Sequence, residues 1–179
     1  MHAAKLDLGT RAALMYVRSN LMRIPVRLGL AGLVLLVAVL TVLVARLDPS
    51  ITPNLATGAT VTASSTGAPN TNPARLLDGD IWHIGHQTNN EDHPWVELDF
   101  HKLTRVSRVV VYNRVDCCWA DAAPLVLELA GADHRFKRVA RADGAFEKWT
   151  AEIAPQDALY LRVELMQTGA LVLDEIEVL

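Results

Sequence analysis

One short segment, Arg114-Val115-Asp116-Cys117-Cys118-Trp119-Ala120-Asp121, gathers an unusual set of reactive side chains. Arg114 offers five donors in a fixed fork, which can grip two neighbouring hydroxyl oxygens. Asp116 lies two residues on and can orient that fork by a charge-assisted bond. It can equally close Arg114 into an ion pair that only shapes a loop. Asp121 can accept from hydroxyls, and Trp119 can stack on an apolar ring face or pack beneath its own loop. His86 can donate or accept, or sit in a loop with no ligand at all. Sugars present adjacent hydroxyls and an apolar ring face, which such a set could meet if it gathers at one surface.

A second set is Asp78-Gly79-Asp80, two carboxylates beside a glycine turn. Hard oxygen donors of this kind suit calcium. The alternative is a turn capped by its own Asp side chains. His83, His86 and His93 are too loosely spaced to argue for zinc. Cys117 and Cys118 are the only cysteines. A bridge between adjacent cysteines closes almost no chain, so its effect would be local. Two free thiols are the other option, and no C-x-x-C spacing points to redox or metal work. G-x-S-x-G, H-E-x-x-H and a phosphate-cradling glycine loop are all missing, so no catalysis is expected.

The elements that must carry these groups read as β-strands. Residues 95–100, 125–129 and 160–165 alternate apolar and polar, residues 108–112 form a β-branched run, and 171–179 makes a last strand. Turn residues recur between them, as at Asp78-Gly79 and Asp143-Gly144. Only residues 73–77 look helical, with Asn72 as cap and Pro73 in the first turn. Many short strands with few helices predict a sandwich or jelly roll over 54–179.

Several stretches together resemble the discoidin family, also called coagulation factor V/VIII C-type domains. Residues 54–65 are similar to the family's opening, and Leu77-Asp78-Gly79-Asp80 to its DG turn. Pro94-Trp95-Val96-Glu97-Leu98-Asp99, Val111-Tyr112-Asn113-Arg114 and Glu175-Ile176-Glu177-Val178 follow in the family's order. The resemblance implies an all-β, galactose-binding-like, eight-stranded jelly-roll sandwich. Within the family, residues 113–118 resemble the F-type lectins, or fucolectins. That likeness implies fucose held by a His near His86, by Arg114 oriented by Asp116, and by a second basic residue five positions after the Asp. It also implies a Cys117–Cys118 disulfide under the sugar. Two departures stand out: one extra residue separates His86 from Pro94, and Asp121 reverses the charge of the second basic position. The same lectins imply a structural calcium held by the carbonyls of Arg75 and Asp174 with Asp78, Asp80 and Glu175.

About half the residues are hydrophobic, and they are unevenly spread. Residues 28–45 form an 18-residue run without a charge, bounded by Arg27 and Arg46. As a helix it would extend roughly 27 Å, just enough for a hydrocarbon core of about 30 Å. A cleaved signal peptide fits less well, because the run is long and Leu43-Val44-Ala45 is a poor cleavage site. One transmembrane helix is therefore expected before the sandwich. Residues 1–27 carry Lys5, Arg11, Arg18, Arg23 and Arg27 against Asp7, which predicts a cytoplasmic N-terminus. Residues 3–24 could form an amphipathic helix on the inner membrane face, or merely extend the anchor. Residues 46–53, with Pro49 and Pro53, read as a linker. The 54–179 domain would face the periplasm or cell exterior. From Asp48 onward there are 11 basic and 19 acidic residues, a balance that argues against nucleic acid. Two functions follow as expectations: a membrane-anchored, non-catalytic glycan-binding module, or an accessory subunit that binds partner subunits of a membrane complex.

Overall fold

A computed structural model describes residues 34–37, 41 and 53–179. The chain divides into two compact units, Met1–Thr52 and Pro53–Leu179. In the first, residues 34–37 and 41 are helical. The basic segment 1–27, the remainder of the expected span 28–45 and the linker up to residue 52 lie outside the described residues. Among the described residues, no helix is long and apolar enough to cross a membrane.

The second unit is an all-β jelly roll of antiparallel strands. Its strands are β1 (Thr60–Ala63), β2 (His86–Gln87), β3 (Glu91–Asp92), β4 (Trp95–Asn113), β5 (Leu125–Ala130), β6 (Lys137–Ala142), β7 (Lys148–Leu165), β8 (Thr168–Gly169) and β9 (Val172–Val178). Seven form one sheet in the order β2-β9-β4-β7-β5-β6, with β1 added on β4; β3 pairs with β8 alone. Nine strands thus replace the expected eight among the described residues, and the partition differs. Residues 95–100 and 108–112, expected as two strands, are one 19-residue strand.

The reason is that β4 and β7 pair along almost their whole length with register shifts between Asp99 and Thr104 and between Val106 and Arg108. Such irregularities bend a strand and increase its twist. Before the bend, β4 is flanked by β1 and β7, and β7 continues to β5. Beyond it, β4 is flanked by β7 and β9. One continuous sheet therefore folds into two layers. Val96, Leu98, Leu127, Leu161 and Val163 from one layer and Val109, Val111, Ile176 and Val178 from the other join one buried cluster. Full burial of each such aliphatic side chain stabilises by about 1.5–3 kcal/mol.

The opening and the end of this unit are stitched together by Asn54. Its Oδ1 accepts from the Val178 N–H at 2.9 Å and its Nδ2 donates to the Ile176 carbonyl at 3.0 Å. The expected helix at Pro73–Leu77 is present as a 3-10 helix, with the Asn72 side chain accepting from the Ala74 N–H. A second 3-10 helix, Trp119–Ala122, has no counterpart among the expected elements.

Candidate functional site

Where β4 ends, Asn113 is buried and organises the loop that follows. Its Nδ2 donates to the Trp119 and Phe146 carbonyls, and its Oδ1 accepts from the Arg114 N–H. Trp119 Nε1 closes the loop by donating to the Arg114 carbonyl at 3.0 Å. At the tip, Cys117 and Cys118 form a disulfide between neighbours. Opposite this loop, the β3–β8 pair is fixed by Glu91, whose Oε1 accepts from Ser64 and Ser65 Oγ.

These pieces enclose a cavity of about 300 Å³. Gln87, Asn90, Asn113, Arg114, Cys118, Asp121, Ala122, Gln167, Thr168, Gly169, Ala170 and Val172 line it. Arg114, Cys118 and Asp121, expected from the sequence, are therefore brought together. Asp116 and Cys117 are exposed and are not part of that lining. Asp116 receives Arg114 Nε at 2.7 Å and Nη2 at 2.8 Å, a side-on fork. The same fork holds the Asp116 carboxyl down at about 2 and raises the Arg114 guanidinium above its usual range. Arg114 still has its Nη1 donors for a ligand. Trp119 lies outside the lining, and its indole N–H is spent on the loop.

His86 does not join that lining. It is fully buried, and its Nε2 donates to the Ser65 carbonyl at 3.0 Å. Nδ1 has no partner, and burial pulls the imidazole pKa down against the opposing hydrogen bond to Ser65. It is an interior side chain, not a cavity wall. Successive strand residues face opposite ways, and the next residue, Gln87, faces the cavity. Gln87 is also the position reached from Pro94 once the extra residue beside His86 is discounted. That spacing was the signal available for finding it. Asn90 and Gln167 had no comparable signal, because loop packing alone brings them in.

Below this cavity's Arg114 loop, β9 and the 78–85 turn form an oxygen-rich cluster. The β4–β9 register slips between Tyr112 and Asn113, leaving Asp174 as the extra residue of a bulge. Asp174 is fully buried and neither carboxylate oxygen has a hydrogen-bond partner. Burial pushes its pKa up to about 6; the Val115 backbone N–H opposes this weakly, short of a normal hydrogen bond. Glu175 is equally buried and accepts from the Gly79 N–H at 3.1 Å, yet burial pushes it up to about 8.

The Asp174 and Arg75 carbonyls close on Gly85. A Cβ placed there would lie 2.4 Å from the first and 3.2 Å from the second. Asp78 and Asp80 are occupied by their own turn. Asp78 Oδ1 accepts from the Asp80 N–H, Asp80 Oδ1 accepts from the Trp82 N–H, and Asp80 Oδ2 meets His83 Nδ1 at 2.7 Å. No three His, Cys, Asp or Glu side chains converge on one metal position among the described residues. The donors that suit a hard cation are therefore the Arg75 and Asp174 carbonyls with the Glu175 carboxylate. A buried, uncompensated acid pair and an all-oxygen donor set fit calcium. His83 and His93 are paired with Asp80 and Glu164 respectively, so the three histidines do not gather.

Gly85→Ala is expected to destabilise by about 1–3 kcal/mol, because the new methyl meets backbone rather than a movable side chain. Thermal unfolding checks this, and a melting point unchanged from the parent refutes the close approach.

The F5/8 type C domain family model matches residues 60–175. Among solved structures, the lectin domain of lectinolysin complexed with Lewis B antigen is 28% identical, with a TM-score of 0.63 over 72% of this chain and 96% of that one. A Streptococcus pneumoniae fucose binding module is 26% identical, with a TM-score of 0.63 over 70% of this chain and 94% of that one. A striped bass serum fucolectin shares the fold at 21% identity and a TM-score of 0.64, covering 70% of this chain and 47% of its own. Among curated proteins none matches this chain.

Proposed function

The chain belongs to the F5/8 type C domain family, and from that premise we propose that its jelly roll is a non-catalytic carbohydrate-binding module. The observation that carries this reading is the single cavity where Arg114, Asp121, Gln87 and Asn90 meet beside Cys118. The lectin domain and the fucose binding module named above, each more than a quarter identical, support it.

In this cavity the Arg114 Nη1 donors reach two vicinal hydroxyls while Asp116 keeps the guanidinium plane still. Gln87, Asn90 and Gln167 offer amides that both donate and accept. The Cys118 sulfur gives an apolar floor. Calcium, when bound by the Arg75 and Asp174 carbonyls and Glu175, supplies positive charge that ties β9 to the 78–85 turn. The uncharged run 28–45 supports anchoring of the module at a membrane, and the basic 1–27 segment supports an outward-facing domain.

The test is glycan titration of the full chain in mild detergent. Arg114→Ala is expected to weaken binding by about a hundredfold, since a charged donor is lost from a polar site. Gln87→Ala is expected to weaken it about tenfold, whereas His86→Ala acts on melting temperature instead. An Arg114→Ala chain that binds as tightly as the parent sinks the reading. The accessory-subunit reading is favoured by one observation, that half of the Arg114 fork is already spent on Asp116. Its sign would be a stoichiometric membrane partner retained in mild detergent, with no glycan bound.

A further inference from the structure

We infer that the glycan taken by this cavity carries a free amine, with the Asp121 carboxylate as the group that selects it. This rests on the carbohydrate-binding reading and narrows its ligand class.

The charged side chains lining the cavity are Arg114 and Asp121. They share no hydrogen bond or ion pair, although the Asp121 carboxylate is near enough to help hold the Arg114 guanidinium charged. Arg114 Nε and Nη2 both bind Asp116, so that pair cancels within the loop. Asp121 joins the loop only through its backbone: its N–H donates to the Cys118 carbonyl and its carbonyl accepts from Gln167 Nε2 at 3.5 Å. Its carboxylate has neither a hydrogen bond nor an ion pair among the described residues. The other polar lining groups, Gln87, Asn90, Asn113, Gln167 and Thr168, are neutral. Two carboxylates, Asp116 and Asp121, thus share one guanidinium, and the exposed Asp121 carboxylate is left at the cavity with no bonded partner.

A neutral deoxysugar gains nothing from that charge beyond a hydroxyl contact. A uronic or sialic acid is repelled by it. A protonated 2-amino sugar can place its ammonium on the exposed Asp121 carboxylate while Arg114 takes adjacent hydroxyls, which makes a charge-assisted bond that salt can screen.

The experiment compares three probes on the full chain in detergent, by calorimetry at low and high salt. They are a β-1,4-glucosamine oligomer, its N-acetylated counterpart of equal length, and a neutral fucosylated Lewis-type oligosaccharide. The amine-bearing oligomer is expected to bind at least about tenfold tighter than the acetylated one, with the margin shrinking in high salt. Asp121→Asn is expected to erase that margin. Asp133→Asn removes an equal charge outside the cavity and is expected to keep it. Asp121→Arg is expected to reverse the preference toward neutral or acidic sugars.

Equal binding of the amine and acetyl oligomers, or a margin that survives Asp121→Asn, overturns the inference. If the fucosylated probe alone binds, and Arg114→Ala abolishes it, the carbohydrate-binding reading stands without this one. If none of the three binds, both fall.

Discussion

Arg162→Ala is expected to lower the melting temperature by about 10 °C. Glu97, nearly buried on β4, receives Arg162 Nη2 at 2.7 Å and Nε at 3.2 Å on one oxygen, and His134 Nε2 at 2.8 Å on the other. The two strands place them side by side, since Glu97 and Arg162 are directly paired across β4 and β7. The guanidinium is also held between aromatic faces, 4.0 Å from the Phe136 centroid and 4.8 Å from that of Trp95. Removing it strips Glu97 of two donors and the rings of a cation. Losing one member of a buried pair costs about 3 kcal/mol or more, chiefly because the other charge stays behind. The paired change Glu97→Gln with Arg162→Met is therefore expected to recover most of the loss, a coupling that a double-mutant cycle reads directly. Unfolding of Arg162→Ala within about 2 °C of the parent would show that the network contributes little.

Calcium is expected to matter most at mildly alkaline pH. In metal-free protein, Glu175 keeps its proton until about pH 8 and Asp174 until about 6, whereas the unfolded chain releases both near their ordinary values of 4.5 and 3.8. The folded state then binds more protons than the unfolded one across that interval, so stability falls as pH rises through it. His86 acts in the opposite sense below its ordinary value of 6.5, because the unfolded imidazole takes a proton that the buried ring does not. The fall should therefore be seen between roughly pH 6.5 and 8, where Glu175 dominates. Calcium bound as proposed would compete with the proton on Glu175, so its stabilising effect is expected to grow over the same range. Melting curves at pH 6.5 and 8, with a chelator and with calcium, read both effects. Glu175→Gln is expected to flatten the pH dependence and remove the calcium gain together. A metal-free melting point that rises from pH 6.5 to 8 would count against this account.

The sandwich was legible because alternation is a local signal. Residues 125–129 and 160–165 show it plainly, and both fall within strands of the structure. The stretch between Asp99 and Arg108 hid the continuity of β4, since its irregular register breaks the alternation that marks a strand. The basic strand Lys137–Ala142 carried too little apolar pattern to stand out, as suits an edge. The second 3-10 helix is held by contacts from residues 113 and 167, which no window of sequence contains.

Residue order alone determined that Arg114 and Asp116 would meet, because a two-residue loop spacing lets a long guanidinium fold back onto a short carboxylate. It determined the neighbouring cysteines and the Asn72 cap for the same local reason. The spacing to Pro94 points toward position 87, but the tertiary structure decided that Gln87 rather than His86 faces the cavity. A strand turns every side chain over when its register shifts by one, and that register is set by pairing with β9, far along the chain. The structure alone also left Asp174 buried without a partner, through a bulge that depends on where two distant strands fall out of step. Asp121 joins both levels. The sequence supplied its charge, and the folded loop left that charge without a bonded partner at the cavity by giving the Arg114 fork to Asp116.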